Sequence, residues 1–118
     1  MDLKKIDPAF DVMKEFSKAT KGTTQHIEGM RQKAIFSDGA LPAKHKTLAA
    51  ALWSISQKCE PCFKFYILKA KELGASLDEV GEYLAVASTM GGCVGEMWAL
   101  KAFKVYRDND ESGESCCT

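Results

Sequence analysis

Apolar residues recur every three or four positions along most of this chain, and no segment alternates apolar with polar residues over a strand's length. That period belongs to helices with one buried face, so the expected fold class is all-α. Asp7 is a helix cap with Pro8 at the first helical position, and Phe10, Met13 and Phe16 follow at helical spacing. Lys21-Gly22 breaks this helix. Ile27, Met30 and Ala34 mark a second one ending near Phe36, before a Ser37-Asp38-Gly39 turn. Pro42 opens a third, with Leu48, Ala51, Leu52 and Ile55 on one face. A fourth starts at Cys59–Cys62 and carries Phe63, Tyr66, Ile67 and Ala70 as far as Gly74. Ser76-Leu77-Asp78-Glu79 reads as a capping box for a fifth, whose stripe is Val80, Tyr83, Leu84 and Ala87. Gly91-Gly92 ends it, and a sixth helix runs from about Cys93 to Tyr106. The expectation is one all-α domain of about six helices over residues 1–107. A polar tail, 108–118, is expected to be disordered.

Charge narrows the partners. Sixteen basic and 16 acidic residues cancel, and nucleic-acid binding rests on a basic face, so no nucleic-acid partner is expected. Asp108, Asp110, Glu111 and Glu114 all follow the last basic residue, Arg107, so the body itself is mildly basic. No apolar run reaches the ~18 residues of a membrane span, and the first residues form no secretory signal. A cytoplasmic protein without a membrane partner is expected.

The five cysteines are Cys59, Cys62, Cys93, Cys116 and Cys117. An odd, clustered set is not a secreted disulfide framework, and a reducing compartment favours a catalytic or metal-binding role for a C-x-x-C pair. Pro61 fits the first turn of a helix and not its interior. The pair therefore sits at a helix N-terminus, where unpaired N–H groups and the positive dipole end stabilise a thiolate. The spacing of three lets the sulfurs join as a disulfide. Redox chemistry is the preferred reading. A zinc site would have to recruit His26, His45 or the Cys116-Cys117 tail, and two buried structural thiols are the remaining alternative.

Leu41-Pro42-Ala43-Lys44, an alanine-rich helix, Cys59-Glu60-Pro61-Cys62 and then Gly74-Ala75-Ser76-Leu77-Asp78-Glu79-Val80 resemble the carboxymuconolactone decarboxylase/AhpD-like (alkylhydroperoxidase) family. The resemblance spans roughly Leu41 to Tyr106. It implies an all-helical fold assembling as a homotrimer or homohexamer; no cofactor is expected. For the C-x-x-C branch it implies a thiol peroxidase or disulfide reductase, in which Cys62 attacks peroxide and Cys59 resolves. A dithiol, lipoyl or thioredoxin-like donor would re-reduce the pair. The decarboxylase branch lacks the cysteines. The peroxidase branch has a glutamate twelve residues before the first cysteine and a histidine four after the second; here those positions hold Thr47 and Tyr66.

Other residues are candidates to replace that relay. Glu96, in the first turn of an apolar helix, is the expected proton acceptor. Tyr66 can donate from its phenol. His45 titrates in the right range but is expected on the solvated surface. Lys58 favours a thiolate at Cys59 and Glu60 opposes it. Cys93 is expected as core filler, with a third redox thiol as the alternative. Cys116-Cys117 could shuttle electrons or capture a soft metal, with an idle tail as the bland reading. Trp53, Trp98, Phe103 and the methionines are expected in the core or a subunit interface.

Overall fold

The computed structural model describes residues 1–109, and every regular element among them is helical. The elements are α1 (Leu3–Ile6), a 3-10 turn (Pro8–Val12), α2 (Met13–Ala19), α3 (Thr23–Ala34), α4 (Ala43–Ser56), α5 (Glu60–Glu72) and α6 (Leu77–Asp108). The expected all-α class holds, and short α1 is an addition. Cys116 and Cys117 lie outside the described residues, as does the tail beyond Asn109. No helix among the described residues is long and apolar enough to cross a membrane.

Local chemistry sets the boundaries. The Asp7 carboxylate accepts the Ala9 N–H at 2.8 Å, and Pro8 starts the turn it caps. Ser76 and Glu79 form the reciprocal capping box, at 3.0 and 2.9 Å. Gly74, at φ 97°, closes α5: Ala75 N–H reaches back to Ala70 O and Gly74 N–H to Lys71 O.

Gly92 divides α6. At φ 61° and ψ −145° it occupies a region open essentially to glycine, and the helix doubles back there. Arms 77–91 and 93–108 then lie side by side. A Cβ on Gly81 would touch the Phe103 ring, and one on Gly95 would drive into the Ala87 carbonyl oxygen. The expected break at Gly91-Gly92 is this turn.

The core lies between α4, α5 and the α6 hairpin, which all pack on one another. Leu48, Ala51 and Ile55 meet Phe63, Ile67 and Ala70, and Val80, Leu84, Ala99 and Ala102 close the other side. Phe63 is 0% exposed. Every buried apolar side chain lies at or after Ala43 among the described residues. Helix α3 buries none, and α2 buries only Ser17.

Candidate functional site

The link from α4 to α5 is three residues long, Gln57 to Cys59. Lys58 turns it at φ 56°, Cys59 N–H donates to Ser54 O at 3.0 Å, and α5 begins at Glu60. Cys59 is the N-cap and Pro61 occupies the first turn, as the sequence predicts. No side chain caps α5, so the pair sits at a helix end whose first-turn N–H groups have no side-chain acceptor and whose dipole end is positive. Cys59 and Cys62 are joined as a disulfide, with Cα atoms 5.2 Å apart. Phe63 anchors the helix start from below: its ring meets Trp98 edge-on at 5.8 Å between centroids.

The two cysteines face different surroundings. Pro61 and Cys62 line a groove of about 1030 Å³, and Cys59 does not. The far wall comes from the N-terminal segment. Phe10, Met13 and Phe36 line it opposite Phe65 and Tyr66 of α5. Phe36 packs against both aromatic rings, with centroids 6.2 Å away in each case.

Within this groove, Tyr66 stands one turn beyond Cys62 on the same helix. Its hydroxyl accepts from Arg31 Nε at 3.1 Å. Glu28 holds that guanidinium from one turn earlier on α3, at 3.2 Å. Glu28 and Arg31 were not legible as site residues. They sit on a helix that looked like any amphipathic one, and their contact with Tyr66 spans 35 residues of sequence. His26 also lines the groove, with Nδ1 on the Gly22 carbonyl at 2.8 Å.

Glu96 is placed elsewhere. It is exposed, does not line the groove, and makes no hydrogen bond or ion pair with a described residue. Trp98 faces α5, and two residues along a helix turn about 200° around its axis, so Glu96 points off the other side. Thr47 is fully buried and donates to Ala43 O in its own helix, 2.9 Å away. His45 corrects its expectation: it is half-buried, with Nδ1 3.0 Å from the Tyr83 hydroxyl, because α6 packs beside the first turn of α4. It is not at the groove.

Cys93 corrects its expectation too. It is exposed beside the Gly92 turn rather than buried as core filler, and it does not line the groove with Cys62. The described residues hold no cluster of three or more His, Cys, Asp or Glu side chains able to bind a metal. Around the pair itself, Lys64 hydrogen-bonds Glu60 at 2.9 Å and, with its charge, holds that carboxyl below its usual range. Lys58 is exposed.

Of the expected core aromatics, Trp98 and Phe103 pack against the core, whereas Trp53 is 67% exposed. Val86, Met90, Val94, Met97 and Leu100 of α6 are exposed as well.

Comparison with known proteins follows the same lines. Residues 22–105 match the carboxymuconolactone decarboxylase family. A crystal structure of a carboxymuconolactone decarboxylase family protein from Legionella pneumophila, in its apo form, superposes with a TM-score of 0.78 at 26% identity. The match covers 89% of this chain and 94% of that one. An uncharacterized protein of Cupriavidus necator is 35% identical over 74 residues, which span 63% of this chain and 66% of that protein's length.

Proposed function

Because the chain belongs to the carboxymuconolactone decarboxylase family, and carries a cysteine pair joined at a helix start, we propose that it is a thiol-dependent peroxidase or disulfide oxidoreductase. The observation that carries this reading is the asymmetry of the pair: Cys62 opens to a substrate-sized groove and Cys59 does not. Cys62 is the attacking thiolate and Cys59 the resolving thiol.

With the pair reduced, the Cys62 thiolate attacks one oxygen of a hydroperoxide. The O–O bond breaks, the sulfur keeps that oxygen as a sulfenic acid, and the other oxygen leaves as an alcohol after taking a proton. Tyr66 is the group in place to give that proton. Its oxygen already accepts from Arg31, so its own hydrogen is free to point into the groove. Cys59 then attacks the sulfenic sulfur, a disulfide forms and water leaves. A dithiol donor of lipoyl or thioredoxin type exchanges with the disulfide and restores both thiols.

The exposed apolar strip on Trp53 and α6 suits burial by a second subunit. We therefore assign a homotrimer or homohexamer, checked by light scattering.

Peroxide consumption with a dithiol donor tests the reading in the unsubstituted protein and in Cys59→Ser and Cys62→Ser. Turnover lost in both variants supports it. Turnover retained by Cys62→Ser overturns the assignment. A pair that cycles between thiol and disulfide without consuming peroxide would make the protein a disulfide reductase or redox switch.

A further inference from the structure

The groove at Cys62 is far larger than a peroxide group requires, and its charge is lopsided. Phe10, Met13, Phe36, Phe65 and Tyr66 are all half-buried, so each leaves apolar surface facing the open space. A volume of about 1030 Å³ lies at the upper end of sites for small organic ligands. Lys14 and Lys18 stand one helical turn apart on α2, and Lys21 follows where the chain turns at φ 59°. All three line the groove, and none forms an ion pair with a described residue.

The acids in the groove wall are already engaged. Glu28 pairs with Arg31 at 3.2 Å and Glu72 with Lys69 at 3.7 Å. The apolar space therefore runs from a thiol on α5 to three cations on the α2 side, and neither acid of the groove wall is paired with them.

We propose that this groove binds an amphipathic anion, namely an acyl chain with a terminal carboxylate. The chain lies on the aromatic and methionine surface and the carboxylate meets Lys14, Lys18 and Lys21. The proposal rests on the reading of Cys62 as the reacting thiol, and it names the substrate class of that site: hydroperoxides of carboxylic acids with an extended chain. Apolar contact supplies most of the affinity. The lysines select the ionised head, and being exposed they each contribute modestly and in a salt-dependent way.

Calorimetric titration of Cys62→Ser protein with decanoate, and separately with decanol, tests this without any redox step. Decanoate is expected to bind one-to-one, about tenfold more tightly than decanol at low salt, with the preference shrinking as salt is added. The Lys14→Gln/Lys18→Gln/Lys21→Gln variant is expected to lose that tenfold preference and keep its decanol affinity. Equal affinity for the acid and the alcohol overturns the anion site, as does a preference untouched by the triple substitution. Binding of neither ligand overturns the acyl groove. Peroxide turnover of the unsubstituted protein is a separate measurement, so failure of the ligand proposal and failure of the redox reading are told apart.

Discussion

Residues 43–108 and residues 1–36 are both helical, yet they are held in place by different physics. The first region forms a core: α4, α5 and the α6 hairpin bury Leu48, Phe63, Ile67, Val80 and Ala102 against one another. The second has no buried apolar side chain among the described residues. It is attached by half-buried aromatics and directional contacts. Among them are the Arg31–Tyr66 hydrogen bond, the Phe36 ring against Phe65 and Tyr66, and Lys69 over Phe36 at 5.2 Å. The core fixes the cysteine pair. The N-terminal layer leaves the open space beside it. A layer that did pack tightly on α5 would fill the groove at Cys62.

Removing a ring from each side tests that division most strongly. Phe63→Ala should cost roughly 3–5 kcal/mol, through lost burial and the cavity left under the α5 start. Phe36→Ala should cost about 1 kcal/mol or less, because its site is half open. Urea unfolding of both variants decides; comparable losses would break the distinction.

Function should respond in the opposite sense. Tyr66→Phe keeps the ring, so stability should shift by about 1 kcal/mol. If the phenol supplies the leaving-group proton, turnover should drop on the order of 10²-fold. Arg31→Met should follow it in turnover, since Arg31 orients the hydroxyl. Wild-type turnover in Tyr66→Phe would remove the N-terminal layer from the chemistry.

Two glycines sharpen the contrast further. Gly95→Ala pushes a methyl into the Ala87 carbonyl across the α6 hairpin, for a loss of about 1–3 kcal/mol. Gly29→Ala on α3 meets no atom within 4 Å and should raise stability by roughly 0.5–1 kcal/mol through better helix propensity. Thermal melts of the pair check both signs.

The smallest effect is expected in acid. Lys64 lowers the Glu60 carboxyl, and the Ser76 backbone N–H, then Lys44, lowers that of Glu79. A carboxyl whose folded pKa is depressed contributes stability that is present above its unfolded pKa and is lost as pH falls through the folded one. Both groups are partly open to solvent, so the acid limb of the stability curve should flatten only slightly in Glu60→Gln and Glu79→Gln. Denaturant midpoints between pH 5 and 3 measure this.

Much of this molecule was legible in its sequence because the information is local. Asp7-Pro8, Gly74, the Ser76–Glu79 box and Gly91-Gly92 each satisfy or interrupt backbone hydrogen bonds within a few residues, so they mark helix ends wherever they occur. Pro61 placed the cysteines at a helix start for the same reason. What failed was anything that depends on which surfaces meet. Ile27 and Met30 keep helical period and remain exposed, because no other described element covers that face of α3. Glu96 had the right chemistry and faces away from α5. Cys93 had the right size for a core and sits outside it.

The sequence by itself determined the helices, their caps and the vicinity of two thiols, since those follow from periodicity and from hydrogen bonds between near neighbours. Only the tertiary structure decided that Cys62 rather than Cys59 opens to a groove, and that α3 brings Glu28 and Arg31 to Tyr66. It also decided that three lysines stand unopposed along that groove. Those outcomes depend on rotations and offsets between helices joined by many residues. A one-residue turn of a helix moves a side chain by about 100°, and no local pattern encodes that phase.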